Sequence, residues 1–309
     1  MLRTSFQRLA VVATVITYLL IAVGGLVRAS GAGLGCPDWP RCFGSWIPPA
    51  SAAALPPQFD PAQFNPVLMW TEYLNRLLGV TVGFAILAAT ISAWRHHRRE
   101  PRILWPVVAA VLLTGFQGWL GGRVVAHELA AWIVTVHMLV ALVIVALLLV
   151  AVLESMTPAD AAPPPRSRRQ LGWWVCAVIA VSLVQVGVGT QVRERVDAAL
   201  ELVPRGDALA GVGPLDLTHR ELAAVTALAI VALWALIWTR HPGDAALGRA
   251  ASVTLVCTAA QVAAGVVLTG AALPPAAQVM HLTLASLMLG ALTATAFIAW
   301  RWTPAGDRG

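Results

Sequence analysis

Long apolar stretches recur along the chain, separated by short polar segments. A membrane's hydrocarbon core of ~30 Å is spanned by a helix of about 20 apolar residues. Eight stretches reach that length. The pattern predicts an all-α integral membrane protein with eight transmembrane helices, at roughly 8–28, 68–93, 103–123, 130–153, 171–192, 216–239, 250–270 and 277–300.

The polar residues inside these stretches repeat at a fixed distance. Four helices return the chain to the side on which it started, so a repeat of four helices predicts two parallel, pseudo-twofold-related four-helix bundles. We expect residues 1–158 to form the first half and 159–309 the second. The pairs separated by 144 residues are Glu72 and Asp216, Asn75 and His219, Arg76 and Arg220, Gln117 and Gln261, Gly121 and Gly265, and His137 and His281.

The ends of the first and fifth helices also correspond, but at a different distance. Arg28 matches Arg193 with an offset of 165 residues, so the first outer loop, residues 29–67, is 21 residues longer than the third. This longer loop contains Cys36 and Cys42. We therefore expect the loop to distinguish the two halves.

Composition and charge agree with a membrane protein. The 309 residues are 58% hydrophobic and 12% charged, whereas soluble domains average about 25% charged residues. The net charge of +6 comes from arginines scattered between apolar runs, without the basic stripe that nucleic-acid binding requires, so no nucleic-acid partner is expected.

The positions of the arginines predict the orientation. By the positive-inside rule, the side that carries more of them is cytoplasmic. Both termini then lie inside, and we expect a multi-pass protein of a bacterial plasma membrane. The arginines on this side are Arg3, Arg8, Arg95, Arg98, Arg99, Arg102, Arg166, Arg168, Arg169, Arg240, Arg249, Arg301 and Arg308.

Three histidines lie a few residues inside the outer ends of even-numbered helices: His137, His219 and His281. Histidine within a membrane span is costly and by default functional, although each could alone be a packing residue. Two facing helices that each contribute a histidine can hold a haem through both axial positions. His219 and His281 fit that description. A zinc ion would need three or four ligands, which this half lacks.

The first half offers one imidazole, because Asn75 stands at the position equivalent to His219. Two histidine ligands suit an electron-transfer haem, whereas one suits a haem that is exchanged or acted upon. Glu72 lies on the same helix face as Asn75, three residues before it. It is either an interfacial cap or a proton acceptor or charge stabiliser beside the bound macrocycle.

Two further groups of outer residues have open interpretations. Cys36 and Cys42 lie on the oxidising side, either as a structural clamp or as a reducible pair that exchanges electrons with a thiol partner. Arginines at outer helix ends either snorkel to the interface or bind haem propionates, for which a forked cation is suited. Those assigned to propionate binding are Arg28, Arg76, Arg193 and Arg220.

Several motifs together resemble one family, the haem A synthases. They are the His137 helix, THR at 218–220, VMHLTLA at 279–285, EYLNRLLG at 72–79 and, most specifically, GAGLGCPDWPRC at 31–42. The resemblance covers essentially the whole chain. It implies an enzyme that oxidises a ring methyl of haem O to a formyl group by successive hydroxylations, making haem A for cytochrome oxidase.

The resemblance also implies roles for the site residues. His219 and His281 would ligate a haem b cofactor, while the first half would take haem O, with His137 near its iron and Glu72 catalytic. Cys36 and Cys42 would match the family's loop cysteines. Asn75 departs from the pattern, leaving Asn75, water or nothing on that side of the iron. The implied partners are the lipid bilayer, a haem O synthase and an electron donor, either a quinol or a thiol protein; oligomerisation is left open.

Two other functions compete with this one. A quinol-linked cytochrome b subunit would relay electrons across the membrane through two bis-histidine haems, but the candidate ligands here lie at one depth, toward the outer face. A parallel-repeat transporter would carry polar sites at the midplane, whereas the inner halves of these helices are almost wholly apolar.

Overall fold

The computed structural model describes residues 4–158 and 164–301, which are folded almost entirely into helices. Eight of these helices are long and apolar enough to cross a membrane, as predicted. Arg3, Arg308 and the centre of the segment between the halves lie outside the described residues. The helices are α1 Ser5–Ala29, α2 Pro66–His96, α3 Pro101–Ala126, α4 Ala131–Met156, α5 Arg166–Leu200, α6 Pro214–Arg240, α7 Ala245–Gly270 and α8 Pro275–Arg301.

The helix starts follow local chemistry. Proline is favoured in the first turn because its missing N–H has no partner there in any case, and it opens α2, α3, α6 and α8. The Asn65 side chain accepts hydrogen bonds from the first free N–H groups of α2. Thr4 and Gln7 form a reciprocal capping box at α1. These caps fix where the membrane-spanning segments begin.

Helix α8 lies at the centre of the molecule. In the most apolar 18-residue stretch of α8, 56% of the residues are buried within the protein, against 22–39% for the other seven long helices. It packs on α1, α4, α5 and α7, and α4 also contacts α1 and α5. The two halves of the chain therefore meet through α1, α4, α5 and α8, while α2, α3, α6 and α7 lie at the periphery.

The first outer loop folds back onto the start of α2. Its backbone comes so close that a Cβ on Gly35 would lie 2.4 Å from the Leu68 carbonyl oxygen, so only glycine fits there. Phe43 and Met69 are buried beside the loop cysteines, with Phe59 and Phe64 packed around them. The loop is thus an ordered cap with its own small core.

Helix α5 extends farther than the apolar stretch predicted. We expected the membrane span to end near residue 192, but the helix continues to Leu200. Val196, on the extra turns, is buried with Ala208, Val212 and Leu273. These contacts stabilise turns whose sequence, RERVDAAL, is too polar to be recognised as part of a span.

Candidate functional site

His219 and His281 face each other near the amino-terminal ends of α6 and α8. Their ring centroids are 6.5 Å apart, with the ring planes inclined at 61°. A metal–imidazole bond is about 2 Å long, so this gap has room for one metal ion between two ring nitrogens. The structure therefore brings together the two histidines that the repeat singled out.

Hydrogen bonds orient both rings through their Nδ1 atoms. His281 Nδ1 lies 3.1 Å from the backbone oxygen of Gln261, to which it can only donate. That tautomer leaves the Nε2 lone pair free for a metal, the usual arrangement for ligating histidines. His219 Nδ1 lies 3.1 Å from Nε2 of Gln185, which also donates to the His219 carbonyl.

The Gln185 amide can adapt to a metal-bound His219. Binding through Nε2 places the ring proton on Nδ1, which then needs an acceptor. The Gln185 side-chain oxygen is buried and has no hydrogen-bond partner, and amide oxygen and nitrogen exchange places by rotation. Turning the amide over would pair these two groups, but it would also replace the donor beside the His219 carbonyl with an oxygen.

Glycines make room for the histidine rings. A Cβ on Gly189 would lie 2.9 Å from Cε1 of His219, and one on Gly265 would lie 3.3 Å from Cε1 of His281. Gly121 lies against His137 in the same manner, at 3.8 Å. These three glycines thus shape the pockets of the histidine rings.

The first half is built differently around His137. Gln117 Nε2 donates to the His137 carbonyl at 2.9 Å. His137 Nδ1, the Asn75 side-chain oxygen and the Gln117 side-chain oxygen are all buried without a hydrogen-bond partner. Buried polar atoms are seldom left unpaired. These unpaired atoms on α2, α3 and α4 are therefore available to a polar ligand.

Glu72 and Arg76 hold the first outer loop to α2. The Glu72 side chain is 6% exposed; its Oε1 pairs with Arg76, and its Oε2 accepts from the Cys36 backbone N–H at 2.7 Å. Arg76 also donates to the carbonyls of Cys36, Asp38 and Arg41. All five N–H donors of the guanidinium therefore have partners within the chain.

Cys36 and Cys42 form a disulfide, with their Cα atoms 4.8 Å apart. Both residues are completely buried beneath the aromatic side chains of the loop. Attack by an external thiol requires access to sulfur, and this packing denies it in the folded loop. Of the two interpretations left open by the sequence, the burial favours the structural clamp.

Other outer arginines differ in the number of donors they leave free. Arg220 is 51% exposed in its side chain and pairs with Asp216 at 2.5 Å. Arg28 and Arg193 share Asp197 at 3.2 and 2.6 Å, joining α1 to α5, and Arg193 also donates to Gln278. Arg220 keeps most of its donors available, while the other two form a cationic pair around one carboxylate.

Sequence reasoning missed the contribution of Gln185. The first half has no glutamine at the corresponding position of α1, so the repeat gave no signal for Gln185. The offset of 165 residues between α1 and α5 aligns Gln185 with Leu20.

In the described parts of the chain, no group of three or more His, Cys, Asp or Glu side chains could hold a bare metal ion.

These features define a class: a polytopic membrane protein in which two imidazoles on different helices face each other across a gap that would take one metal ion. Residues 7–293 match a family described as cytochrome oxidase assembly protein, and the chain belongs to that family.

Proteins named "Heme A synthase" are similar to this chain. The protein from Methylobacterium nodulans is 28% identical over 91% of this chain and 88% of its own length. The one from Geobacillus kaustophilus is 34% identical over 40% of this chain, and the one from Allorhizobium ampelinum 27% identical over 57%. These two alignments span 34% and 53% of the relatives' own lengths.

Proposed function

We propose that this protein is a haem A synthase, an oxidoreductase that converts the ring methyl of haem O to a formyl group. The observation that carries the proposal is the facing His219–His281 pair, with a gap suited to one metal ion, in a chain of this family. The name that these relatives share supports the substrate assignment. The reaction proceeds by successive hydroxylations and loss of water.

The second half binds a haem b cofactor. His219 and His281 would hold its iron, and Gln185 and the Gln261 carbonyl would hold the rings in position. When bound, this group supplies one-electron transfer. The chain's own contribution would be to hold the iron through both histidines, so that the haem would transfer electrons without binding other ligands.

The first half binds haem O as the substrate. His137 lies near the substrate iron, and Asn75 lies on the opposite side. Of the roles open to Glu72, its ion pair with Arg76 favours charge stabilisation beside the substrate over proton acceptance, because the carboxylate oxygens already accept hydrogen bonds. Cys36 and Cys42 lock the loop that holds this carboxylate.

Haem propionates are assigned to arginines with free donors. Arg220 is the principal candidate in the second half, with Arg193 and Arg28 close to the boundary between the halves. Arg76 was expected to act in the same way, but its donors are fully used within the chain. We assign it to holding the outer loop instead.

The arrangement in the membrane follows from the arginine distribution. We propose two pseudo-twofold-related halves, 1–158 and 159–309, with both termini in the cytoplasm of a bacterium. The haem sites then lie toward the outer face. The substrate comes from a haem O synthase and the electrons from a quinol or thiol protein.

Two measurements test the proposal. Membranes that contain the protein, incubated with haem O and an electron donor, should yield hydroxylated and formyl haems on extraction. Their absence with an active donor would contradict the function.

The haem b assignment is tested on purified protein. His219→Ala should abolish the low-spin b-type absorption, because the iron loses one of two strong ligands. His241→Ala, at the opposite end of α6, is the matched control and should retain that absorption. A low-spin signal that survives in His219→Ala would overturn the assignment.

A further inference from the structure

The helix pairs α1–α2 and α5–α6 differ at two corresponding positions. In the second half, His219 on α6 is held by Gln185 on α5. The repeat offsets place Asn75 at the position of His219 and Leu20 at that of Gln185. The ligand and the residue that orients it are thus replaced together, which a single chance substitution does not explain.

The glycine that contacts the His219 ring has a counterpart in the first half that contacts no side chain. Gly189 lies directly against the His219 ring, whereas the corresponding Gly24 has no atom within 4 Å of where its Cβ would be. The Asn75 side-chain oxygen, at the position that corresponds to His219, is buried and has no hydrogen-bond partner. A shorter side chain therefore leaves room as well as an unpaired polar atom.

We propose that the Asn75 side of the first-half haem has no protein ligand and forms a site for a small exogenous molecule of two or three atoms. His137 is then the single axial ligand. The Asn75 carboxamide supplies a hydrogen bond to the bound molecule. Leu20 keeps the surroundings apolar, so that no other side chain competes for this position.

This inference rests on the proposed function in one respect, namely that the first half binds a haem. It goes further by assigning different coordination to the two haems. The second-half haem has both axial positions occupied by histidine and excludes other ligands, whereas the first-half haem accepts them.

Carbon monoxide and azide are the probes, used on the purified full-length protein loaded with both haems. The reduced wild type should bind about one carbon monoxide per two haems, and His137→Ala should lose the haem responsible. Failure of the loaded wild type to bind carbon monoxide, with both haems low-spin, would overturn the inference.

Exchanging the corresponding residues provides the matched comparison. The double variant Leu20→Gln/Asn75→His should bind carbon monoxide at least tenfold less and become fully low-spin with unchanged haem content. The reciprocal variant Gln185→Leu/His219→Asn should gain a second carbon monoxide site. Unchanged binding in the first variant, with its haem retained, would contradict the inference.

The role of the carboxamide is tested separately. Asn75→Leu keeps the site open, so carbon monoxide binding should persist, while azide affinity should fall about fivefold through loss of one hydrogen bond. Equal azide affinity would remove Asn75 from the site. Haem O conversion is measured independently of ligand binding. Ligand binding without conversion would refute the proposed function alone. Conversion by a fully low-spin protein would refute this inference alone.

Discussion

Single arginines at the outer helix ends have different tasks despite their equivalent sequence positions. Arg76 and Arg220 are separated by the repeat distance and each pairs with an acidic residue four positions earlier. Arg76 additionally donates to three loop carbonyls, because only the first half carries the long loop. The environment therefore decides which of the two is available to a ligand.

Replacing Arg76 should loosen the disulfide loop. In Arg76→Gln most of the donors that bind the loop are lost. We therefore expect alkylation of Cys36 and Cys42 after mild reduction to be about tenfold faster, the effect of losing the free energy of one charged hydrogen bond. Mass spectrometry of the labelled protein measures this.

Arg220→Gln is the control for the loop and the test for propionate binding. It should leave cysteine alkylation unchanged and weaken haem retention. Equal alkylation in the two variants would show that Arg76 does not hold the loop, and full haem retention in Arg220→Gln would remove Arg220 from the site.

At the scale of helices, the approach of α5 to α6 is set by a glycine beneath a histidine ring. Gly189 and Gly24 correspond in the two halves, but only Gly189 is in contact with a ring. The pair offers a matched comparison of helix packing, because the same substitution meets a ring at one position and open space at the other.

Gly189→Ala should displace His219 and reduce the haem b content. The added methyl group would lie 2.9 Å from Cε1 of the ring, a distance that forces the ring or the helix to move. Gly24→Ala should have no such effect. Haem content per protein, measured after purification, checks both, and equal values for the two variants would contradict the packing argument.

The eight helices were predictable because apolar stretches of spanning length stand out from short polar connections, and the histidine pair because polar residues are rare within such stretches. The end of α5 was not predictable from the sequence, since Val196 is buried by loop residues distant in sequence. The Arg76 contacts were not predictable either, because they depend on three carbonyls of an irregular loop. The role of Gln185 was not predicted because this residue has no counterpart in the repeat.

For the whole molecule, the packing joins the two halves rather than leaving them as separate bundles. Helix α8 contacts α1 and α4 of the first half as well as α5 and α7 of the second. The outer loop adds a cap to the first half alone. The distribution of arginines predicts the orientation in which this molecule is inserted.

The orientation can be tested with single introduced cysteines. Ser51 in the first outer loop and Arg99 between α2 and α3 are both exposed. In intact cells Ser51→Cys should react with a membrane-impermeant maleimide, while Arg99→Cys should react only after permeabilisation. Wild-type protein, whose free cysteines Cys176 and Cys257 lie in helices, provides the background, and the reverse pattern would invert the proposed topology.

The central position of α8 has a consequence for biosynthesis. The ribosome makes this helix after the other seven spanning helices, and His281 is on it. The proposed haem site is therefore complete only once α8 has joined the seven earlier spans in the bilayer. A chain arrested before residue 275 should hold no haem between His219 and His281, so we expect loading to follow the assembly of the helices rather than to guide it.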